Sequence, residues 1–379
     1  MNLLKKMTAA LLAVLMLASF AACHPKNEVA LTIGDVDITS AMYMCFLIQA
    51  DGEARDAVDK ANADNTDYDS NTVDYYAQKV DDTDFSAWVK NRAQEVAAEY
   101  AAYMTMFKDR ELTLSDEDQS MIDTYVNHYW NTYGYSQMYE PNGVSLSTYK
   151  EYFSYSYKSK ACFMSVYGAD GTDPVADEEV RSTISANFAP VNVLTLSYSY
   201  KDSDNNTVDY SEEEIAAIKE KAQTYAQRLR NGEKFGPLYL EENPSADTSS
   251  ADTSDESIYA TVFVSEAAQS YVSSSYYTHD HWDEASALAV GEVKVIDDDD
   301  KSLVMYKYQN VLDNEKYIST LTEPALYILK QSEFEEKIKA DAAALEVQTN
   351  SYAVDRFKPS KIEYPKSSTS GSTGTTASR

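Results

Sequence analysis

Apolar positions in this chain change spacing several times, and each change predicts an element. Val29 to Ile33 and Val36 to Ile38 alternate around Gly34-Asp35, the pattern of a short β-hairpin. Thr39 then stands at a helix N-cap position ahead of a helical run through Met42, Phe46 and Leu47. Residues 51–84 are acidic and polar with little periodicity and read as a surface insertion. Phe85 to Leu112 has the spacing of a long amphipathic helix. Ser115 with Asp118 predicts a capped start for another through Tyr129, and Tyr149 to Tyr167 a third, thick with aromatics. The first half is therefore expected to be mostly helical.

Asp173-Pro174 breaks that pattern. Asp177-Glu178-Glu179 starts a short helix ending near Asn187, before the apolar strand Val191 to Leu196. After a polar loop, Lys201 to Tyr210, Ser211 and Glu214 form a capping box. Its helix places Ile215, Ile218, Ala222, Tyr225 and Leu229 on one face and closes at Asn231-Gly232. Residues 244–257, rich in Ser, Asp and Thr, read as a mobile loop. Two strands follow, Glu292–Ile296 and Leu303–Val311, then an amphipathic helix from about Glu323 to Leu345, within the segment 315–350. The Ser/Thr/Gly tail 366–379 has the composition of a disordered segment.

Charge narrows the function. The 379 residues hold 62 Asp plus Glu against 32 Lys plus Arg, a net charge of −30, so the average field repels phosphate and nucleic acid is excluded as a partner. The first 23 residues combine Lys5 and Lys6, an apolar run from Met7 to Leu17 that is too short to span a bilayer, and the small residues Ala21-Ala22 before Cys23. This reads as an export signal over 1–22. Two endings stay open: lipidation at Cys23, giving a membrane anchor, or ordinary secretion with cleavage near Ala21 or Ala22. The remaining cysteines, Cys45 and Cys162, sit in apolar helical contexts that suit two buried thiols, with a disulfide as the alternative in an exported chain.

Three short motifs now fall in order. Val29-Ala30-Leu31-Thr32-Ile33-Gly34-Asp35 with Val36-Asp37-Ile38-Thr39 is similar to the V-A-x-V-N-G-x-x-I-T that opens extracytoplasmic foldases of the PrsA and SurA type. Leu229-Arg230-Asn231-Gly232-Glu233-Lys234-Phe235 resembles the L-x-x-G-E/D-x-F of their parvulin-like isomerase domain, and Ala287-Leu288-Ala289-Val290-Gly291-Glu292-Val293 its A-L-x-x-G-E-V. Cys23 likewise looks like a lipobox cysteine, although Phe20 replaces the usual Leu.

The resemblance implies an α+β protein: a mostly helical chaperone lobe, residues 29–170 with the C-terminal helix 315–350, and an inserted parvulin-like α/β domain, 187–313. It implies a lipid-anchored, extracytoplasmic foldase or chaperone with newly exported or unfolded polypeptides as partners and no cofactor. A non-enzymatic surface or assembly protein that kept the scaffold is the alternative.

Parvulins carry a His on the first strand and another on the last. The corresponding stretches here, Val193-Leu194-Thr195-Leu196 and Ser302-Leu303-Val304-Met305-Tyr306, carry none, and no catalytic residue is assigned. Leu194, Phe263, Trp282 and Met305 are the residues expected to line a peptide-binding groove. An active isomerase and a degenerate domain that binds or packs both remain open.

Other constellations have plainer readings. His279-Asp280-His281 precedes a helix start at Trp282 and lacks a third ligand, so no metal site is assigned. Asp202, Asp204, Asn206 and Glu213 have EF-hand-like spacing, but Thr207 replaces the required Gly, and a solvated turn is the default. Asp297 to Asp300 read as an exposed hairpin tip. Thirty-one Tyr are the oddity of composition. Two groups, Tyr149, Tyr152, Phe153, Tyr155, Tyr157 and Tyr129, Trp130, Tyr133, Tyr135, are equally readable as a surface that grips unfolded chains and as helical core.

Overall fold

The computed structural model describes residues 28–246, 255–273 and 276–365. The proposed signal 1–22, Cys23, the tail 366–379 and part of the 244–257 loop lie outside them. The chain divides into two units, Met1–Val166 with Phe334–Arg379 and Tyr167–Glu333. The architecture is α+β.

The first unit opens with strands β1 (Val29–Ile33) and β2 (Val36–Thr39), joined through Gly34 at φ 57°, a left-handed conformation that glycine adopts without steric penalty. The hydroxyl of Thr39 accepts from the Met42 amide and caps α1 (Ser40–Ala61). This helix corrects the reading of 51–84 as insertion. It runs a further eleven residues beyond Ala50, and Asp51, Ala54 and Val58 are buried on it. A two-residue hairpin, β3 (Lys79–Val80) and β4 (Thr83–Asp84), leads into α2 (Phe85–Asp109). Then come α3 (Asp116–Asn131), with the expected Ser115–Asp118 capping box, α4 (Tyr135–Tyr139) and α5 (Leu146–Tyr167). Tyr43, Phe46, Phe85, Val89, Ala97 and Tyr149 belong to one continuous core.

The second unit starts with α6 (Asp177–Asn187), which feeds β5 (Phe188–Ser197). The polar stretch 201–210 is a hairpin rather than a loop, β6 (Ser199–Lys201) against β7 (Thr207–Asp209). Two helices follow, α7 (Glu212–Arg230) and α8 (Phe235–Glu242), the first held by the Ser211–Glu214 capping box. Gly232, at φ 88°, turns the chain between them. Next come β8 (Ala260–Val264), α9 (Glu266–Gln269), β9 (Tyr277–Thr278), α10 (Trp282–Ala287), β10 (Val293–Asp297) and β11 (Lys301–Tyr306). The five long and short strands of this region order as β10-β11-β5-β8-β9, antiparallel except for the β8–β9 pair. The second hairpin strand stops at Tyr306, short of the Val311 expected.

Helix α11 (Glu315–Ala344) carries the chain back to the first unit. The helix ends one residue short of the Leu345 expected and starts eight residues before Glu323, and β12 (Val347–Thr349) adds itself to the free edge of β1, making the sheet β12-β1-β2. Two β-branched residues in three and an available edge outcompete another helical turn there. A last short helix, α12 (Ser351–Asp355), is capped by Asn350.

Candidate functional site

The pleat of β5 and β11 decides where the expected groove residues go. Neighbouring positions on a strand face opposite sides of a sheet. Leu194 is paired with Val304, and both pack with Ala222, Tyr225 and Leu229 of α7. Met305 is paired with Val193 and packs with Phe263, Ala285 and Leu288, with Trp282 against the same cluster. The structure therefore brings Phe263, Trp282 and Met305 together and places Leu194 on the other face. Phe263, Met305 and Leu194 are buried; Trp282 is half-buried.

Polar groups in this unit are engaged in holding loops. His279 Nδ1 lies 2.9 Å from the Val264 carbonyl, and His281 Nε2 lies 3.0 Å from Asp298 Oδ2. Asp298 also lies 3.7 Å from Lys301 Nζ, which is 3.1 Å from Asp300, and Asp297 accepts from the Ser302 hydroxyl at 2.5 Å, so the acidic tip is not wholly solvated as the sequence suggests. The Asp202 carboxylate accepts the backbone N–H groups of Asp204, at 2.9 Å, and Asn206, at 2.8 Å. Those bonds lower its pKa, and Glu213 sits apart from them in the first turn of α7. Among the described residues no group of three or more His, Cys, Asp or Glu is placed to hold a metal ion.

In the first unit the aromatic groups separate by helix face. Ile122, Val126 and Trp130 recur every fourth residue along α3 and are buried. The neighbouring stripe, Met121, Tyr125 and Tyr129, turns toward solvent. Met121 is 41% and Tyr125 39% exposed. Gly134, at φ 74°, then reverses the chain into α4, so that Tyr135 stacks on Tyr129 with centroids 5.5 Å apart. Tyr133 stands 64% exposed and Tyr135 40%.

These rings form a continuous ledge. Tyr129 stacks with Tyr125 at 6.3 Å and meets Tyr133 at 5.6 Å; Phe153 of α5 lies 5.7 Å from Tyr129 and 6.1 Å from Tyr157. Behind it, Trp130, Tyr139 and Tyr149 are buried core, with Tyr139 and Tyr149 4.8 Å apart. The two groups thus divide by burial: Tyr149 and Trp130 build the wall as helical core, and Tyr133 and Tyr135, with Tyr125, present its outer surface. Burial first, then neighbouring Tyr125 and Asp118, push the Tyr157 hydroxyl above its ordinary pKa. Sequence periodicity finds the rings; the glycine-assisted return of α4 onto α3, which gathers them, has no periodic signal.

Cys45 and Cys162 are buried and free of any disulfide. Burial raises both thiols, Cys162 to about 12. No helix among the described residues is long and apolar enough to cross a membrane.

No family model matches the chain, and no curated protein matches it. Among solved structures it is similar to the foldase protein PrsA of Streptococcus pneumoniae, at 17% identity over 69% of this chain and 88% of that one, with a TM-score of 0.36. It is similar also to PrsA of Bacillus subtilis, at 14% identity over 71% and 92%, with a TM-score of 0.31. PrsA of Lactococcus lactis gives 11% identity over 86% and 97%, with a TM-score of 0.35.

Proposed function

We propose that this chain is a lipid-anchored, extracytoplasmic foldase or chaperone that binds non-native polypeptides, and that the aromatic ledge of α3, α4 and α5 is where it holds them. The observation that carries this reading is the exposure of Met121, Tyr125, Tyr133 and Tyr135 on a buried aromatic wall. A contiguous exposed apolar patch marks an interaction surface. Tyrosine gives large contact area at low entropy cost and accepts many sequences, which suits extended and variable partners better than a single folded one. The ledge needs no cofactor and no covalent chemistry.

The second unit is, in this reading, a parvulin-like scaffold with little or no isomerase activity. Of the residues proposed to contact proline, Phe263 and Met305 are covered, and Trp282 is the one that reaches solvent. Attachment to the membrane rests on Cys23 after Ala21-Ala22. Metabolic labelling with a fatty-acid probe tests it: the parent labels and Cys23→Ser does not, and equal labelling of both removes the anchor. For binding, the purified protein is titrated with a reduced, carboxymethylated polypeptide and with the same polypeptide folded. Affinity for the unfolded form alone supports the reading; affinity for neither overturns it.

A further inference from the structure

We infer that the ledge selects cationic client segments, in which Arg or Lys stands beside an aromatic residue or proline. This rests on the proposed client-binding role and specifies the substrate of that same surface. From residue 111 to residue 149 the chain carries Glu111, Asp116, Glu117, Asp118, Asp123 and Glu140 and no Lys or Arg. That stretch contains all of α3 and α4, and so most of the exposed rings. Three of the acids, Asp116, Glu117 and Asp118, fill the first turn of α3. Asp118 is close enough to act electrostatically on Tyr157, at the α5 end of the ledge.

Of the bases flanking this stretch, Arg110 donates to the Ser165 carbonyl at 3.0 Å. Lys150 pairs with Asp123, and Lys158 lies 6.0 Å above the Phe107 ring. A ligand cation arriving on the ledge therefore meets tyrosine faces, which attract it through the ring quadrupole, and carboxylates with little competing positive charge. Arg is favoured over Lys, because a planar guanidinium stacks on a ring and still presents N–H groups to a carboxylate. An acidic segment meets the same rings but is repelled by the first turn of α3.

The test uses three fluorescent peptides of one length, sharing Tyr-Pro pairs and differing only in carrying Arg, Gln or Glu between them. Anisotropy titrations are run on the parent, on Asp116→Asn/Glu117→Gln/Asp118→Asn, and on Tyr133→Ala/Tyr135→Ala. In the parent at low salt the Arg peptide is expected to bind about tenfold tighter than the Gln peptide, the Glu peptide weakest. That preference falls to about twofold in the neutralised variant, and salt erodes it in the parent, a measurement that alters no residue. Equal affinity of the parent for the Arg and Gln peptides overturns the inference, as does full preference in the neutralised variant. The two readings fail separately. If the Tyr variant loses all three peptides while the parent does not discriminate, the ledge stands and charge selection falls. If the Tyr variant binds all three like the parent, the ledge itself falls, and the inference with it.

Discussion

The hydroxyl of Tyr364 donates to the carboxylate of Asp51, 313 residues earlier in the chain. Asp51 is fully buried on α1, and its other contacts are Arg55 Nε at 2.6 Å and the Tyr76 hydroxyl at 3.1 Å. The Arg55 guanidinium in turn lies between the Tyr75 and Tyr364 rings, 4.4 and 4.5 Å from their centroids. Tyr76 also donates to the Pro359 carbonyl at 2.9 Å. One buried carboxylate thus fastens the C-terminal segment of the first unit to its first helix.

Removing that carboxylate leaves a partly buried guanidinium unbalanced and the Tyr364 phenol without its acceptor, while Tyr76 keeps the Pro359 carbonyl. Asp51→Ala is expected to cost about 3 kcal/mol, in the range for breaking a buried ion pair. Tyr364→Phe, which deletes one hydrogen bond to a charged acceptor, costs about 1.5 kcal/mol. Urea denaturation monitored by tyrosine fluorescence measures both. A loss below about 0.5 kcal/mol for Asp51→Ala, the range of ordinary surface substitutions, would refute the fastening role.

The same segment shows what the sequence hides. The hairpin, both capping boxes and the long helices are legible because their signals are local: Thr39, Ser115 and Ser211 cap helices within three residues of themselves. Asp51 lies in an acidic stretch that looks solvated, and its burial depends on residues 359–364 arriving from the far end of the chain. Val347-Gln348-Thr349 is too short and too exposed to announce a strand, and becomes one only because β1 offers an edge. Leu194 parted from the rest of the groove set on parity. Leu194 and Met305 are both apolar and near in the sheet, but only the register, Leu194 with Val304 and Met305 with Val193, shows that they face opposite ways.

That added strand gives a prediction of its own. Gly34 N–H donates to the Glu346 carbonyl at 2.9 Å and Asn350 N–H to Ala30 at 3.0 Å. Bonded positions alternate in an antiparallel ladder, so Gln348, opposite Thr32, falls on a bonded position. Gln348→Pro removes that donor from the ladder and should destabilise the first unit by about 1–3 kcal/mol. Gln348→Thr, which keeps the N–H and raises strand propensity, should be neutral or better. Equal midpoints for the two variants in chemical denaturation would mean that β12 contributes nothing.

Cys162 gives a pH dependence. Its thiol is raised to about 12 by burial, with Arg110 opposing, whereas an unfolded cysteine ionises near pH 8.5. The folded state therefore favours the neutral thiol. The associated stability is complete below about pH 8.5 and is lost progressively as pH rises toward the folded value. Relative to Cys162→Ala, the parent should lose stability between about pH 8.5 and 10.5, and neither Cys45 nor Cys162 should react with a disulfide reagent at pH 8 until denaturant is added. Rapid native labelling at Cys162 would contradict the buried geometry.

Turnover of X-Pro bonds is expected to be poor. Leu194, Val304 and Met305 stand on the strands that the proposed parvulin resemblance matches to the His-bearing ones, and the imidazoles of His279 and His281 are bonded to Val264 and Asp298. Spontaneous isomerisation takes tens to hundreds of seconds and sets the baseline for a protease-coupled assay on a proline tetrapeptide. Acceleration under about a tenth of that of a His-bearing parvulin at equal concentration is expected, since an apolar surface seats the ring but does not orient the rotating amide. Comparable acceleration would make the second unit a working isomerase.

The ledge itself is tested most directly by aggregation. A chemically denatured polypeptide is diluted into the purified protein or into Tyr125→Ala/Tyr133→Ala/Tyr135→Ala, and light scattering is followed after equal melting temperatures have been established for the two. The parent should suppress scattering at near-stoichiometric amounts, and the triple variant should need about a hundredfold more, because truncating three exposed anchor rings removes about 1 kcal/mol each from a contact that depends on them. Suppression by the triple variant at the parent's concentration would contradict the claim that this surface holds non-native chains.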